Sequence, residues 1–385
     1  MYKLRTYQEQ AVAAGLRYFS TADEKCGGGV IVLPTGAGKS LVIANIALGL
    51  KAPILVLQPS KEILEQNMKK LADYGYYDIG VFSASFNRKE VRSITFATIG
   101  SIVRKTQYFE KIRYCVIDEC HGVDPKGGMY ESFLAATKMK VLGLTATPYR
   151  LYSSQNYGSM LRFITRTRPR IFTKVLYYCQ IGELAREGFL APLNYYNIKC
   201  VDASMLQVNS NYSDYTDESV RRAYEMLNFS DTLVNIVQRL LLKERTVLVF
   251  TRFVQEAEYM ANKIGKVAAV VTGKMPKKER EETLARFKAG ELKVIANVGV
   301  LTTGFDFPAL DTIVLARPTM SLALYYQMIG RAIRPYPDKV GWIVDLCGSY
   351  LRFGKVADME LRFTDKNQPA YYSGDRQLTN VFYTK

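Results

Sequence analysis

A lysine and a serine end a glycine-containing loop that joins a predicted strand, Val30 to Leu33, to a predicted apolar helix, Leu41 to Leu50. Backbone N–H groups of such a loop and the following helix N-terminus converge on a phosphate group. Lys39 would add a positive charge and Ser40 a hydroxyl ligand for Mg²⁺. The strict pattern of this loop has glycine where this chain has Leu33, so the prediction depends on the shorter G-x-G-K-S segment. The residues predicted to hold a nucleoside triphosphate are Thr35, Gly36, Ala37, Gly38, Lys39 and Ser40.

Two carboxylates follow a second predicted strand, Tyr114 to Ile117. Asp118 can hold Mg²⁺ through its waters, and Glu119 can orient or deprotonate a water that attacks a γ-phosphoryl group. An acidic pair at a strand end is by itself more often a solvated cap. A third predicted strand, Val141 to Leu144, ends in Thr145-Ala146-Thr147-Pro148. Because ligands of open α/β folds bind at the carboxyl ends of the strands, we expect these three strand ends to form one catalytic edge.

The single histidine of the chain, His121, follows the acidic pair directly. An isolated histidine is more often structural, but this position favours a role in catalysis. The six cysteines include no C-x-x-C pair, so neither a zinc site nor a disulfide framework is supported. We therefore expect free thiols and no zinc.

Four residues in the second half of the chain recur with the spacing i, i+3, i+4 and i+7, which predicts one face of a helix. They are Gln327, Gly330, Arg331 and Arg334, and Pro335 would end the helix. An arginine from another domain can stabilise the charge of phosphoryl transfer, with an effect on rate of about 10³ to 10⁵. We expect this catalytic role for Arg331 and Arg334, the alternative being an exposed basic stripe.

A loop upstream of these arginines runs from Thr302 to Pro308. Asp306 could meet a ribose hydroxyl, and the threonines of the loop could meet a phosphate. Together with Gly304 and Gln327, Asp306 is predicted to contact the nucleotide.

Short apolar runs alternate with segments of helical period from residue 28 onward, as in parallel sheets that are buried on both faces. The pattern predicts an α/β protein with two tandem domains, residues 1–190 and 191–385, each a mainly parallel sheet with helices on both faces. A helix is also expected from Ile181 to Glu187, near the boundary. The remaining predicted strands are Ile54 to Leu57, Ile79 to Phe82, Ile94 to Phe96, Thr246 to Phe250, Val267 to Val271, Val294 to Asn297, Thr312 to Leu315 and Trp342 to Asp345.

The 385 residues carry a formal net charge of +16, which favours a polyanionic partner, either nucleic acid or an anionic membrane surface. No basic amphipathic helix supports a membrane role. The charged N-terminal segment and the lack of a long apolar stretch predict a cytoplasmic protein.

The ordered segments L-P-T-G-A-G-K-S, D-E-C-H, T-A-T-P, T-T-G-F-D-F-P and Q-M-I-G-R-A-I-R resemble motifs I, II, III, V and VI of superfamily 2 helicases. The resemblance covers residues 2 to about 348. It implies two RecA-like domains that close on ATP and Mg²⁺, with Arg331 and Arg334 reaching the phosphates. Arg5 and Gln8 resemble the N-terminal segment that reads adenine in this superfamily.

Weaker matches to the nucleic-acid motifs of the same superfamily occur along the chain. They imply a track along the phosphate backbone, with largely sequence-independent and salt-dependent binding. The residues that this resemblance assigns to nucleic-acid contact are Pro59, Gln66, Thr98, Arg252, Thr272, Gly273 and Thr302.

The combination of V-I-D-E-C-H, L-G-L-T-A-T-P-Y-R, E-G-F-L-A-P and N-V-G-V-L-T-T-G-F-D-F-P resembles the RadD group of bacterial DNA repair helicases. The resemblance implies a DNA-dependent ATPase in double-strand break repair, acting on single-stranded or branched DNA with repair proteins as partners. RadD-type proteins continue into a region of clustered cysteines, and no cysteine follows Cys347 in the 385 residues of this sequence.

Three alternatives stay open. The chain could be the motor of a restriction system, although it contains no nuclease constellation of its own. It could act on RNA, because grooves that read the backbone rarely reveal a sugar preference. It could also be a passive, ATP-gated clamp, against which Glu119 and Arg334 argue, since a clamp needs no residues for hydrolysis.

Overall fold

The structure is a computed structural model that describes residues 2–21, 27–154, 156–210, 212–302 and 305–383. Contacts divide the chain into two compact units. Unit 1 comprises Met1–Arg150, Leu161–Gln180 and Leu361–Tyr371, and unit 2 comprises Leu151–Met160, Ile181–Glu360 and Tyr372–Lys385.

Helices and strands alternate along the first half of the chain. In chain order they are α1 (Thr6–Ser20), β1 (Gly28–Val32), α2 (Lys39–Gly49), β2 (Ile54–Gln58), α3 (Lys61–Asp73), β3 (Ile79–Ser83), β4 (Arg88–Lys89), β5 (Ile94–Thr98), α4 (Ile99–Ile102), β6 (Tyr114–Asp118), α5 (Met129–Thr137), β7 (Lys140–Thr145), β8 (Tyr149–Ser154), β9 (Gly158–Phe163) and β10 (Phe172–Tyr178).

Eight of these strands form the sheet of unit 1, in the order β10-β1-β7-β6-β2-β5-β3-β4. All neighbours are parallel except β3 and the short β4. Every residue of β1, β2 and β3 is buried. This burial explains why these strands are continuous apolar runs rather than alternating ones.

The second half of the chain repeats the alternation. Its elements are α6 (Ile181–Arg186), β11 (Leu193–Asn197), α7 (Asp217–Met226), α8 (Phe229–Leu241), β12 (Val247–Thr251), α9 (Val254–Ile264), β13 (Ala268–Thr272), α10 (Lys277–Lys288), β14 (Val294–Val298), β15 (Thr312–Ala316), α11 (Leu322–Ile329), β16 (Gly341–Asp345) and α12 (Ser349–Phe353).

The sheet of unit 2 has six strands in the order β11-β16-β15-β12-β14-β13, and all neighbours are parallel. Apolar side chains of α8 and α9 pack on this sheet, among them Val237 and Met260, which contact a buried cluster that includes Val249 and Val314. The amphipathic helices thus cover strands that would otherwise expose apolar surface.

Short elements complete the described chain. No helix in the described ranges is both long enough and apolar enough to span a membrane. The tail contains β17 (Met359–Phe363), β18 (Pro369–Ser373), β19 (Arg376–Gln377) and β20 (Phe382–Tyr383), and 3-10 helices occur at Ala84–Phe86, Thr106–Phe109, Cys120–Gly122, Ile164–Arg166, Ala203–Met205 and Val356–Asp358.

The predicted α/β class with two parallel sheets is confirmed, and each predicted strand lies within two residues of an observed one. Two parallel strands were missed, β10 and β11, and both lie at an edge of their sheet. Their sequences, F-T-K-V-L-Y-Y and L-N-Y-Y-N, are rich in polar and aromatic residues because an edge strand is only partly covered.

The main passage from unit 1 to unit 2 falls between Gln180 and Ile181, before the predicted boundary at residue 190. The Gln180 amide bonds the backbone of Leu361 in unit 1. The predicted helix at Ile181 is confirmed as α6, and its Gly182 lies close to the carbonyl of Ala357 in unit 2. The contacts of α6 therefore assign it to unit 2.

Candidate active site

The glycine-containing loop leaves β1 and enters α2 as predicted. The Leu33 N–H donates to the Thr145 carbonyl at 3.1 Å, which joins the start of the loop to the end of β7. Gly36 and Gly38 have φ values of 85° and 78°, a left-handed conformation that other residues adopt only with strain. Gly38 is the N-cap of α2, so Lys39 is the first residue of this helix.

The N-terminal segment is bonded to this loop. The Ala37 carbonyl accepts hydrogen bonds from the Tyr7 hydroxyl at 3.0 Å and from the Gln8 side-chain amide at 2.8 Å. The amide oxygen of Gln8 accepts from the Arg5 N–H at 2.9 Å. A Cβ atom at Gly38 would lie 2.5 Å from Nε2 of Gln8, so any other residue here would displace this amide. Sequence reasoning named Arg5 and Gln8 but missed Tyr7.

The predicted meeting of three strand ends is confirmed within unit 1, because β1, β7 and β6 are neighbours. Glu119 follows β6 in a left-handed conformation, with a φ of 48°. Its Oε1 atom lies 3.4 Å from Nζ of Lys39. Burial alone would raise the pKa of Glu119, but the Lys39 ammonium and a hydrogen bond to His121 outweigh burial and lower it. Glu119 is therefore held as a carboxylate.

Asp118 is the last residue of β6 and only 4% exposed. Its Oδ1 atom accepts from the Glu119 N–H at 2.9 Å, and Oδ2 accepts from Nδ2 of Asn67 at 3.1 Å. Burial and the nearby Glu119 charge raise the pKa of Asp118. A divalent cation would offset both effects, and carboxylate and hydroxyl oxygens are ligands that Mg²⁺ prefers. Asp118 and Ser40, the second residue of α2, therefore fit the predicted metal role.

His121 connects the acidic pair to the end of β7. Its Nδ1 atom lies 2.8 Å from the Thr145 hydroxyl, 3.2 Å from the Thr147 hydroxyl and 3.3 Å from Oε2 of Glu119. Arg150 donates to the His121 carbonyl at 3.2 Å. The ring of His121 therefore bridges Glu119 and the two threonines.

Sequence reasoning missed Asn67, which is 1% exposed on α3. A signal was present, because Leu64, Asn67 and Leu71 are the buried residues of this amphipathic helix. A polar residue in such a buried stripe needs a polar partner.

The prediction that one helix in unit 2 extends as far as Arg334 is wrong. Helix α11 is Leu322–Ile329, so Gly330, Arg331 and Arg334 follow the helix rather than extend it. Beyond Gly330 the next two backbone N–H groups bond three residues back rather than four. Pro335 disfavours helical backbone at the residue before it, which explains why the helix does not reach Arg334.

Both arginines bind the loop between β14 and β15. Arg331 is 6% exposed and donates to the carbonyls of Phe305 and Thr302 at 2.6 Å and 2.7 Å. The Arg334 guanidinium forms an ion pair with the Asp306 carboxylate. Burial lowers the pKa of Arg334, and Asp306 opposes that shift. In unit 2 the structure therefore brings together Thr302, Asp306, Arg331 and Arg334.

Two further nucleotide predictions concern the same part of the chain. Gln327 lies half-buried on α11. Gly304 lies outside the described residues.

Three predicted nucleic-acid residues lie in unit 1. Thr98 ends β5 beside Gln58, the last residue of β2, and Pro59 follows as an exposed residue. Pro59 and Thr98 are thus at the same carboxyl edge of the sheet. Gln66 is exposed on α3, one residue before Asn67.

The other predicted contacts lie in unit 2. Thr272 ends β13 and Gly273 follows it. Arg252, after β12, donates to Asp217 at 2.8 Å and to the Tyr215 carbonyl at 2.6 Å. A further bond to Asp214 leaves the Arg252 side chain 10% exposed. Arg252 therefore ties the segment before α7 to the end of β12.

Two family models match the chain in succession. Residues 1–150 match the model described as type III restriction enzyme, res subunit. Residues 231–336 match the model described as helicase conserved C-terminal domain. The first match contains the phosphate loop and the Asp118–Glu119 pair, and the second contains both arginines.

Two curated proteins are similar to this chain over most of its length. A "51.5 kDa protein" of a Lactococcus phage is 26% identical over 323 residues, which cover 82% of this chain and 65% of the phage protein. The DNA 3'-5' translocase XPB2 of Sulfurisphaera tokodaii is 27% identical over 386 residues, which cover 89% of this chain and 81% of XPB2. The chain thus spans just under two thirds of the phage relative.

Among solved structures, the ATP-dependent Type ISP restriction-modification enzyme LlaBIII bound to DNA is similar in fold. Its TM-score is 0.64 at 17% identity, and the match covers 90% of this chain and 28% of LlaBIII. The two family matches occur in this order on a chain with two parallel sheets. The chain is therefore similar to superfamily 2 helicases over both matched segments, and its two parallel-sheet units have the RecA-like fold of these relatives.

Proposed function

We propose that this protein is an ATP-dependent DNA helicase or translocase, which couples ATP hydrolysis to movement along DNA or to its unwinding. The observation that carries the proposal is the 3.4 Å approach of Lys39 to Glu119 at the edge where the phosphate loop, Asp118 and His121 also meet. A phosphate-binding cation, a metal-binding carboxylate and an ionised carboxylate for water are the groups that phosphoryl transfer requires.

Each residue of the edge has a role in this proposal. The backbone from Thr35 to Gly38 and the Lys39 ammonium bind the phosphates. Asp118 and Ser40 would hold Mg²⁺, which would neutralise charge on the phosphate oxygens. Glu119 orients the attacking water and accepts its proton, because its lowered pKa keeps it ionised at neutral pH. His121 holds Glu119 against the threonines that follow β7.

The other nucleotide contacts come from both units. We assign Arg5 and Gln8 to the adenine, because the Gln8 amide is already anchored on the phosphate loop. Asp306, Gly304 and Gln327 would contact the sugar and phosphates from unit 2.

Arg334 is the residue of unit 2 that we assign to the charge of the transition state, with Arg331 beside it. Its fork of donors can bind phosphoryl oxygens once the ion pair with Asp306 opens or is shared. In this scheme unit 1 binds ATP, and unit 2 supplies the arginines.

DNA is favoured as the polymer by three observations. The chain has a formal net charge of +16, XPB2 is named as a DNA translocase, and LlaBIII was solved bound to DNA. Pro59, Gln66 and Thr98 in unit 1 would contact the phosphate backbone of the DNA. The predicted contacts in unit 2 are Arg252, Thr272, Gly273 and Thr302. We also propose a role in DNA repair of the RadD type, with single-stranded or branched DNA as substrate and repair proteins as partners.

A second candidate is the motor of a restriction system. It is supported by the match of residues 1–150 to a restriction enzyme subunit and by the fold of LlaBIII. A nuclease or methylase gene beside this one would favour it. RNA helicase activity and a passive ATP-gated clamp are the remaining alternatives.

Measurement of ATP turnover with single-stranded DNA, duplex DNA, forked DNA and RNA, each at two salt concentrations, tests the proposal. We expect DNA to stimulate hydrolysis, with lower affinity at high salt because phosphate contacts dominate binding. Stimulation by RNA alone would favour an RNA helicase. Tight DNA binding with negligible turnover would favour the clamp.

A further inference from the structure

A buried amide on α3 holds the carboxylate that we assign to the metal. Nδ2 of Asn67 donates to Oδ2 of Asp118 at 3.1 Å, and Asn67 and Asp118 are 1% and 4% exposed. The other oxygen of Asp118 accepts the Glu119 N–H. One donor on each oxygen fixes the plane of the carboxylate and leaves further lone pairs for a metal or its waters.

A second buried amide lies next to this pair. β2 and β6 are in register up to Leu57 and Ile117, so the following residues, Gln58 and Asp118, are side by side on neighbouring strands. Gln58 is 0% exposed. Within the described part of the chain, neither polar atom of its amide has a hydrogen-bond partner, and neither does Oδ1 of Asn67.

Buried amide atoms without partners destabilise a fold, and apolar residues would pack in the same space without that cost. The bond from Asn67 to Asp118 is therefore not explained by a contribution to the stability of the fold alone. Each buried polar group without a partner needs an explanation, and a role beside the carboxylate that we assign to the metal supplies one.

The position of Asn67 in the chain gives this bond a second consequence. Asn67 follows Gln66 directly on α3, and Gln58 precedes Pro59 directly at the end of β2. Gln66 and Pro59 are two of the proposed nucleic-acid contacts. The segment from Pro59 to Gln66, which would bind the nucleic acid, therefore has Gln58 directly before it and Asn67 directly after it.

We propose that Asn67 is a positioning residue that orients Asp118 for Mg²⁺ and couples its orientation to the binding of nucleic acid by the segment from Pro59 to Gln66. Binding of nucleic acid to this segment would shift α3 and change the position of Asn67 relative to Asp118. The affinity of Asp118 for the metal would change as a result. Gln58 supplies an alternative amide partner next to Asp118. This inference rests on the proposed function.

The test measures metal binding directly. Mn²⁺ is titrated into the full chain with a non-hydrolysable ATP analogue, with and without single-stranded DNA, and bound Mn²⁺ is read by electron paramagnetic resonance. The variant Asn67→Leu fills the space without a donor, and Asn67→Ala is the second variant. Asn45→Ala is the matched control, because the Asn45 amide bonds a backbone carbonyl, that of Leu41, on the neighbouring helix α2.

We expect Asn67→Leu and Asn67→Ala to raise the dissociation constant of Mn²⁺ about tenfold, the lower end of the usual effect of a residue that orients a metal ligand. Affinity for the nucleotide without metal should stay unchanged, and Asn45→Ala should bind Mn²⁺ as the wild type does. In the wild type DNA should change Mn²⁺ affinity severalfold, and in the Asn67 variants it should not. A purely structural role would lower the melting temperature without this split.

Mn²⁺ affinity within twofold of wild type in both Asn67 variants would overturn the inference. An unchanged effect of DNA on Mn²⁺ affinity in the variants would overturn the coupling. If both variants fail to fold, hydrogen exchange of residues 61–73 in the wild type decides, because adding metal to the nucleotide complex should then slow exchange in α3. A wild type that binds no metal with the nucleotide and hydrolyses no ATP would instead refute the proposed function.

Discussion

Nζ of Lys39 lies 3.4 Å from Oε1 of Glu119, so the cation of the phosphate loop and the carboxylate after β6 form an ion pair across β7. Lys39 keeps Glu119 ionised against the effect of burial, and Glu119 holds the Lys39 ammonium at the edge where phosphates would bind.

Removal of the lysine should therefore remove two functions. In Lys39→Ala we expect ATP hydrolysis to fall at least about 10³-fold, because the phosphates lose their cation and the pKa of Glu119 rises without Lys39. Binding of single-stranded DNA should persist, since no proposed contact to DNA is changed. Turnover and DNA affinity are measured on the same preparation, and hydrolysis near the wild-type rate would refute the role of the loop.

Arg334 is predicted to act on the transition state rather than on bound ATP. Arg334→Ala should lower kcat about 10³-fold while KM for ATP changes little, because the donor fork would bind charge that develops during transfer. Arg334→Lys should restore only part of the rate, since lysine cannot bind in a bidentate manner. Steady-state kinetics distinguish the possibilities, and equal losses in affinity and turnover would exclude this role.

Arg331 is predicted to contribute to stability as well as to activity. Its guanidinium binds the carbonyls of Phe305 and Thr302, and Arg331→Ala would leave both without this donor. We expect the free energy of unfolding to fall by about 3 kcal/mol. Urea denaturation measures this change, and Lys278→Ala, which removes a 90% exposed side chain, serves as control. Equal stability of the two variants would show that the buried contacts are dispensable.

Lys339 should make the stability of unit 2 depend on pH. Its ammonium donates to the Pro308 carbonyl, and burial lowers the pKa of Lys339 to about 8. The unfolded chain therefore binds the proton more tightly, and charging Lys339 opposes folding below about pH 8. As pH rises from 8 toward 10, the free energy of unfolding of the wild type should rise relative to that of Lys339→Met. Denaturation at pH 7 and pH 10 checks this, and a pH-independent difference between the proteins would contradict the shifted pKa.

Much of the fold was predictable because parallel strands buried on both faces must be apolar throughout. The run from Ile54 to Gln58 is an example, since each of its residues is buried. The strand β10 was not predictable in this way, because an edge strand such as Phe172–Tyr178 needs apolar residues on only part of its surface.

The site was predictable where local spacing defines the chemistry, as in the loop that ends with Lys39 and Ser40. Contacts between residues distant in sequence were not. Nothing in local spacing pairs Asn67 with Asp118, which lies 51 residues later. The end of α11 was also missed, because the i, i+3, i+4 and i+7 spacing was given more weight than Pro335, which disfavours helical backbone at Arg334.

The central claim is that Glu119 activates water for the hydrolysis of ATP bound at the Lys39 loop, and that DNA stimulates this step. The most direct measurement is ATP turnover of the wild type and Glu119→Gln, with and without saturating single-stranded DNA, alongside nucleotide affinity. We predict DNA-stimulated turnover in the wild type, and in Glu119→Gln retained ATP binding with turnover reduced at least about 100-fold. Turnover of Glu119→Gln at the wild-type rate, or a wild type that DNA does not stimulate, would contradict the account.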